Sequence, residues 1–227
     1  MSAAEILEAL IVWTPFLAEG FLWNIAISLA AMAIGTPLGI ALAQARAVRA
    51  GAGSSLWRAG GGGLTVLART VPTFVLLFYF ALLLPSSIPL GTTELAIPAW
   101  LKAALALGIA VSGFVSDTWL IALGHWRKQE RVEALLFLPA WTTYFVIIVM
   151  ASSTASVIGV PEMVQRTNTV ISATGERDMM VWLWLYAMLW FLLFCWPISA
   201  AMAVLRRRLE RHHGQDDPDS PAPGTVP

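Results

Sequence analysis

The sequence has little charge and only one cysteine. Of its 227 residues, 12% are charged and 58% are hydrophobic, whereas a soluble domain usually carries about 25% charged residues. The 14 basic and 14 acidic side chains leave no net charge. There is also no basic patch with interleaved aromatic residues, so we expect no nucleic-acid partner. Cys195 cannot form an internal disulfide and lies in an apolar run, which indicates a lipid-facing or packing residue.

Patterns that hold metals or phosphates are also missing. His125, His212 and His213 have no cysteine or carboxylate at metal-ligand spacing. The glycine run at 60–63 is not followed by the Lys-Ser/Thr pair that holds phosphate. We therefore expect no metal site, no catalytic residue and no cofactor on this chain, and we do not expect it to be an enzyme.

What the sequence does contain is a series of apolar runs close to 20 residues long. Runs of this length cross a hydrocarbon core roughly 30 Å thick as helices. They predict an all-α, polytopic membrane protein with five spans, at 20–44, 64–84, 101–124, 134–152 and 179–205.

The distribution of lysine and arginine predicts the orientation, because cytoplasmic loops carry an excess of both. If the first span runs inward, ten cations lie in inner segments and three in outer ones. The ten are Arg46, Arg49, Arg58, Arg127, Lys128, Arg131, Arg206, Arg207, Arg208 and Arg211, and the three are Lys102, Arg166 and Arg177. We expect the amino terminus outside and the carboxyl terminus inside.

Three domains follow from these patterns. Residues 1–17 have an apolar face with Glu5 and Glu8 opposite, which predicts an amphipathic helix along a membrane face, broken near Pro15. Residues 18–211 form the transmembrane domain, in which we expect the glycine-rich loop 49–63 to be flexible. Residues 212–227 are polar and proline-rich, which predicts a disordered tail.

A short amphipathic helix is predicted after the fourth span, on the outer side. Pro161 and Glu162 suit the first turn of a helix. Apolar residues then recur at three- and four-residue steps as far as Thr174. The segment is too polar to be a further span.

Arg69 and Asp117 are the charges that lie deepest inside predicted spans. Counted from the inner ends of their spans, their depths are about 7–8 Å and about 10 Å at 1.5 Å per residue. One interpretation is an ion pair between two neighbouring helices. The other is that Arg69 extends to the inner interface while Asp117 meets water.

Other polar and small residues in the spans have structural interpretations. We expect Lys102 to extend to the outer interface, and Asn24 and Ser28 to make helix–helix hydrogen bonds. Gly35 and Gly39 form a GxxxG pattern, which favours close helix packing within the chain over packing between subunits.

Four segments in this order resemble the permease subunits of polar amino-acid ATP-binding cassette (ABC) importers. They are GFLWNIAISLAAMAIGTPLGIALAQAR, RTVPTFVLLFYFALLLP, SGFVSDTWL and SSTASVIGVPEM, and the likeness spans residues 18–211. In the second and third segments Arg69 and Pro72 match the family, Asp117 replaces a glutamate and Leu120 replaces an arginine. The fourth segment follows the family closely from Ser152 and Ser153 through Glu162.

The resemblance implies a complex in the bacterial inner membrane. It contains two permeases, two ATPase subunits that bind ATP and Mg, and an extracytoplasmic solute-binding protein. Solute passes between the permeases as they alternate access. The resemblance makes Arg69, Asp117, Asn24, Ser152 and Ser153 candidates for the solute pathway or for charges within the membrane.

The family's usual contact with the ATPase is shortened in this chain. Between the third and fourth spans, family members carry a cytoplasmic coupling helix with a Glu-Ala-Ala pattern followed by a glycine. This chain keeps Glu133-Ala134 but is about twenty residues short by comparison with the family pattern, and the glycine is missing. Arg127, Lys128, Arg131 and Glu133 are left as candidate contacts to a partner or to lipid.

Two functions are compatible with this loss. The chain is either a transport subunit paired with a complete permease that supplies the ATPase coupling, or a non-transporting structural or regulatory subunit of such a complex.

Overall fold

The computed structural model describes residues 3–47, 54–90, 93–175 and 177–216. Its helices and strands follow in chain order: α1 (Ala3–Ala47), α2 (Ser54–Thr70), α3 (Thr73–Leu83), β1 (Ser87–Leu90), β2 (Thr93–Ala96), α4 (Ala99–Arg127), α5 (Arg131–Leu135), α6 (Phe137–Ala151), a 3-10 helix (Ser152–Ile158), α7 (Met163–Thr174) and α8 (Arg177–Asp216). The predicted all-α fold is confirmed. To it the structure adds a small antiparallel hairpin, in which Ser87 pairs with Ala96.

Among the described residues, four helical segments are long and apolar enough to span a membrane, or five if α2 and α3 together form one bent span. The second predicted span, 64–84, is therefore wrong as a straight helix, since its two arms meet at 99°. Pro72 causes the change of direction because it has no N–H to donate and disfavours helical backbone at Val71. Its own carbonyl starts α3 by accepting the N–H groups of Val75 and Leu76.

The predicted boundary at residue 17 falls inside a continuous helix. α1 runs unbroken through Pro15, so the predicted break is wrong. The hydroxyl of Thr14 donates to the carbonyl of Leu10 at 2.8 Å, and such local bonds help helices to tolerate proline. Thr14 also bonds the hydroxyl of Tyr186 at 2.9 Å, which joins this end of α1 to α8.

Two other segments that were predicted to be irregular are helical. α2 begins at Ser54 and includes the glycine run at 60–63, which corrects the expectation of a flexible loop there. α8 continues to Asp216, so the first five residues of the predicted disordered tail are helical. Residues 217–227 lie outside the described part of the chain.

Tight packing of α1 on α4 organises the bundle. A Cβ atom on Gly35 would lie 2.4 Å from the carbonyl oxygen of Gly108, and one on Gly39 would lie 2.6 Å from Cβ of Val115. The GxxxG pattern thus serves packing within the chain, as expected. The contacts advance together along both helices, so α1 and α4 run in the same direction, as the predicted order of spans requires.

Candidate functional site

One buried polar cluster joins α1 to the start of α7. We call it the α7 cluster: Asn24, Ser152, Glu162 and the N–H of Met163. The amide of Asn24 donates to Ser152 Oγ at 2.9 Å and to Glu162 Oε2 at 3.0 Å. Its oxygen accepts the N–H of Met163 at 3.1 Å. All four residues are fully buried.

Glu162 has the further role of capping α7. Its carboxylate accepts the N–H groups of Val164 and Gln165 at 3.0 and 2.9 Å, which satisfies two of the donors that every helix leaves open at its start. Burial raises the pKa of Glu162, while the bonds from Val164, Asn24 and Gln165 act in the opposite direction. The 3-10 helix ends at Gly159, which has a left-handed backbone with φ at 83°. The chain turns back at this residue and brings Glu162 against α1.

A second set of contacts fixes α7 beside this cluster. Arg166 makes a two-pronged ion pair with Glu19, at 2.8 and 2.5 Å, and its guanidinium lies 4.4 Å from the centre of the Phe16 ring. A Cβ on Gly20 would approach Cδ of Arg166 to 2.8 Å, so glycine is needed for this close approach. The sequence predicted the helix α7 correctly, but it identified Arg166 only as a cation of an outer segment and did not predict its pairing with Glu19.

A second polar cluster lies at the far end of α1. We call it the Arg46 cluster: Arg46, Thr65, Ser116 and Asp117. Nη1 of Arg46 donates to Asp117 Oδ1 at 2.7 Å and to Ser116 Oγ at 3.0 Å. The hydroxyls of Thr65 and Ser116 are 3.1 Å apart. The cluster therefore ties α1, α2 and α4 together.

Asp117 has a partner that the sequence did not predict. Arg46, counted only as an inner-loop cation in the sequence, pairs with it at 2.7 Å, and the Asp117 side chain stays 26% exposed. The side chain of Arg69 lies outside the described residues, and its pairing with Asp117 stays a prediction.

A cavity of about 330 Å³ opens next to Asp117. We call it the Asp117 cavity. Asp117, Thr118, Thr73 and Tyr144 supply polar groups to its wall, and the ring of Tyr144 stacks on Phe114 at 3.9 Å between centroids. A carboxylate, hydroxyls and an aromatic face together can bind a small polar or cationic solute.

Two further candidates lie elsewhere. Ser153 bonds back to its own chain, donating to the carbonyl of Met150 at 2.7 Å. Lys102 is buried rather than extended to the interface: its ammonium donates to the carbonyls of Leu84 and Ala81 at 2.7 and 3.4 Å. These are the open carbonyls at the end of α3. The sequence alone does not distinguish a lysine that caps the end of a helix from a lysine that extends to the membrane interface, so this role of Lys102 was not predicted.

The link between α4 and α5 is a three-residue turn, Lys128 to Glu130. Gln129 adopts a left-handed backbone, with φ at 68°, and His125 Nδ1 lies 2.6 Å from Glu130 Oε2 across the turn. Arg127, Lys128 and Arg131 are exposed, while Glu133 is partly buried. Between α4 and α6 the chain thus forms only this turn and the five-residue α5.

Comparison with known proteins gives a result at the level of fold. No protein-family model and no curated protein matches the sequence. A solved structure described as "Crystal structure of an amino acid ABC transporter with histidines" matches with a TM-score of 0.69, over 88% of this chain and 96% of that chain. This chain has the fold of that transporter. The identity is 16%, so the likeness is one of fold, and it confirms the fold that the sequence motifs predicted.

Proposed function

We propose that this chain is the transmembrane subunit of an ABC importer for amino acids or similar small polar solutes. The observation that carries the proposal is the fold it shares with an amino acid ABC transporter. ATP and Mg then bind to separate ATPase subunits, and an extracytoplasmic binding protein delivers the solute. The chain itself transports and is not an enzyme.

The complex that we propose is asymmetric. Three residues, Lys128 to Glu130, extend at most about 10–11 Å at 3.3–3.6 Å per residue, too short a reach to place a helix in an ATPase groove. A second, complete permease supplies the main coupling to ATP hydrolysis. In this proposal the Asp117 cavity forms part of the solute pathway, while Asn24 and Ser152 hold α7 in place.

The alternative is a structural or regulatory subunit that does not transport. The short α4–α5 turn supports it as well, because such a subunit needs no ATPase contact. The polar wall of the Asp117 cavity favours transport, because ionisable residues that face a cavity within the membrane commonly mark a solute pathway.

The proposed orientation predicts a pattern of thiol labelling. In a Cys195→Ser background, Ser172→Cys, exposed on α7, reacts with impermeant reagents added outside intact cells. Lys128→Cys reacts only after the membrane is opened. Val170→Cys is the matched control: its site on α7 is fully buried, so it reacts only after denaturation. Labelling of Lys128→Cys from outside would overturn the orientation.

Transport by the reconstituted complex tests the proposed function. The purified chain alone is expected to show neither ATP hydrolysis nor uptake, and the complex with its partners to show ATP-dependent uptake.

Changing Arg127, Lys128 and Arg131 together to Ala leaves uptake at more than half, since exposed charge contacts contribute only about 0–1 kcal/mol each. Replacing the acidic residue in the partner permease's coupling helix uncouples hydrolysis from uptake. Loss of the ATPase from the triple variant, with the partner variant unaffected, contradicts the asymmetric model.

A further inference from the structure

Three exposed cations surround the turn between α4 and α5: Arg127, Lys128 and Arg131. The acid between them is already engaged, since Glu130 is paired with His125. Glu133, on the following helix, is partly buried. The exposed charge of the turn is therefore positive.

An apolar cavity of about 360 Å³ opens between α4, α5 and α6, and two of its lining residues, Trp126 and Ala134, flank the cation-bearing segment in the sequence. Trp126, Leu135 and Leu138 line it and are 56%, 43% and 54% exposed, so the cavity is open to the surroundings. An apolar cavity of about 150 Å³ holds one benzene ring. The cavity beside the turn accordingly has room for roughly a dozen carbon atoms.

We propose that this cavity and its cationic rim form a binding site for one anionic phospholipid. An acyl chain occupies the cavity, and the phosphate lies against Arg127, Lys128 and Arg131. Charge complementarity supports this occupant, because basic pockets at the ends of membrane helices bind anionic headgroups. The position of the cavity supports this occupant too. The cavity lies where the candidate spans Ala99–Arg127 and Arg131–Ile158 meet, and the ends of membrane spans lie at the depth of the lipid headgroups. Tryptophan, here Trp126, is a typical residue of that interface. The site requires only a membrane location and does not depend on transport.

The test is lipid retention by the purified full-length chain, with any subunits that accompany it. The protein is reconstituted with equal amounts of phosphatidylglycerol and phosphatidylcholine, and bound lipid is counted by native mass spectrometry over a titration. Wild-type protein is expected to retain one phosphatidylglycerol in preference to phosphatidylcholine. Each cation near an anionic headgroup strengthens binding roughly fivefold. The Arg127, Lys128 and Arg131 triple alanine variant should therefore bind at least tenfold more weakly.

Two further variants separate a built site from general attraction to the membrane. The control changes Arg207, Arg208 and Arg211 to Ala; it removes three exposed cations from the end of α8 and should alter affinity less than twofold. Ala134→Phe fills the cavity, keeps every charge and should abolish selective retention. Equal loss in both triple variants, unchanged retention in Ala134→Phe, or equal binding of phosphatidylcholine each overturns the proposal. So does release of a protein subunit, rather than lipid, by the loop variant. A variant that fails to fold is replaced by Arg127→Ala alone, for which a partial loss is expected.

Discussion

Replacing Asn24 by aspartate is expected to destabilise the protein by about 3 kcal/mol at pH 8. The change is isosteric, so packing is preserved, but the donor that bonds Glu162 Oε2 at 3.0 Å becomes a second carboxylate. Both residues are fully buried, and two adjacent buried carboxylates cannot both ionise without a large cost. Because the cluster holds the start of α7 against α1, we expect α7 to detach. The measurement is the thermal unfolding of the detergent-solubilised protein.

A reversed pair provides the rescue. In the double variant Asn24→Asp with Glu162→Gln, the carboxylate moves to position 24 and the amide to position 162. The new carboxylate accepts the N–H of Met163, and the amide oxygen at position 162 still accepts the N–H of Gln165. The N–H of Val164 loses its acceptor, because the oxygen that it bonds becomes the amide nitrogen that faces position 24. We therefore expect part of the lost stability to return. The control is Ser153→Ala, which removes only a bond to the chain's own helix and should cost less than about 1 kcal/mol. A double variant as unstable as Asn24→Asp contradicts the proposed geometry.

The same cluster predicts how the Asn24→Asp defect depends on pH. Burial raises the pKa of Glu162, which lies in the connection between two candidate spans. A group whose folded-state pKa is raised contributes stability below its unfolded pKa and loses that contribution as pH rises through the folded value. Asn24→Asp removes a bond that lowers this pKa and adds a like charge, so the pKa rises further. The defect should therefore be smaller at pH 5 than at pH 8.

The second large effect is expected at the Arg46 cluster. Neutralising either partner, as Arg46→Gln or Asp117→Asn, should cost about 1–3 kcal/mol. This loss lies between the loss expected for an exposed ion pair and that for a fully buried one, because the two side chains are 24% and 26% exposed. Stability should fall and uptake by the complex should fall with it, because the pair joins α1 to α4 beside the Asp117 cavity.

Charge exchange identifies the partner of Asp117. The swapped variant Arg46→Asp with Asp117→Arg should recover part of the stability lost in the single variants. The comparison is Arg69→Asp with Asp117→Arg, which tests the pair predicted from the sequence. Rescue by the Arg69 exchange and not by the Arg46 exchange would assign the ion pair to Arg69.

The sequence predicted the spans well because hydrophobic length is set by the membrane itself. α7 was also predictable, since Pro161 and Glu162 mark the start of a helix whose apolar residues recur at helical spacing. Bends in the helices, and their absence, could not be predicted from the sequence. A hydrophobic run has the same composition whether the helix is straight or changes direction at Pro72. Proline within a helical pattern usually indicates a break, but α1 continues through Pro15.

The candidate sites were predictable only in part, because pairing depends on which helices touch. Asn24 and Ser152 were identified singly, and the fold brings them together across 128 residues of chain. Arg46 was missed as a partner of Asp117 because its position at the end of a span is typical of a loop cation. Gly35 and Gly39 pack against α4. Had the sequence analysis named α4 as the helix that packs on these glycines, it would have placed the end of α1, with Arg46, beside Asp117.

The composition of the intact complex tests the central claim of an asymmetric transporter most directly. The full-length chain is purified from its native membrane under mild conditions, and the subunits are identified and counted by native mass spectrometry. An asymmetric transporter contains one copy of this chain, one copy of a second permease with a longer loop between its third and fourth spans, and two ATPase subunits, and this is the expected result. A complex with two copies of this chain bound directly to ATPases, without a second permease, would contradict it.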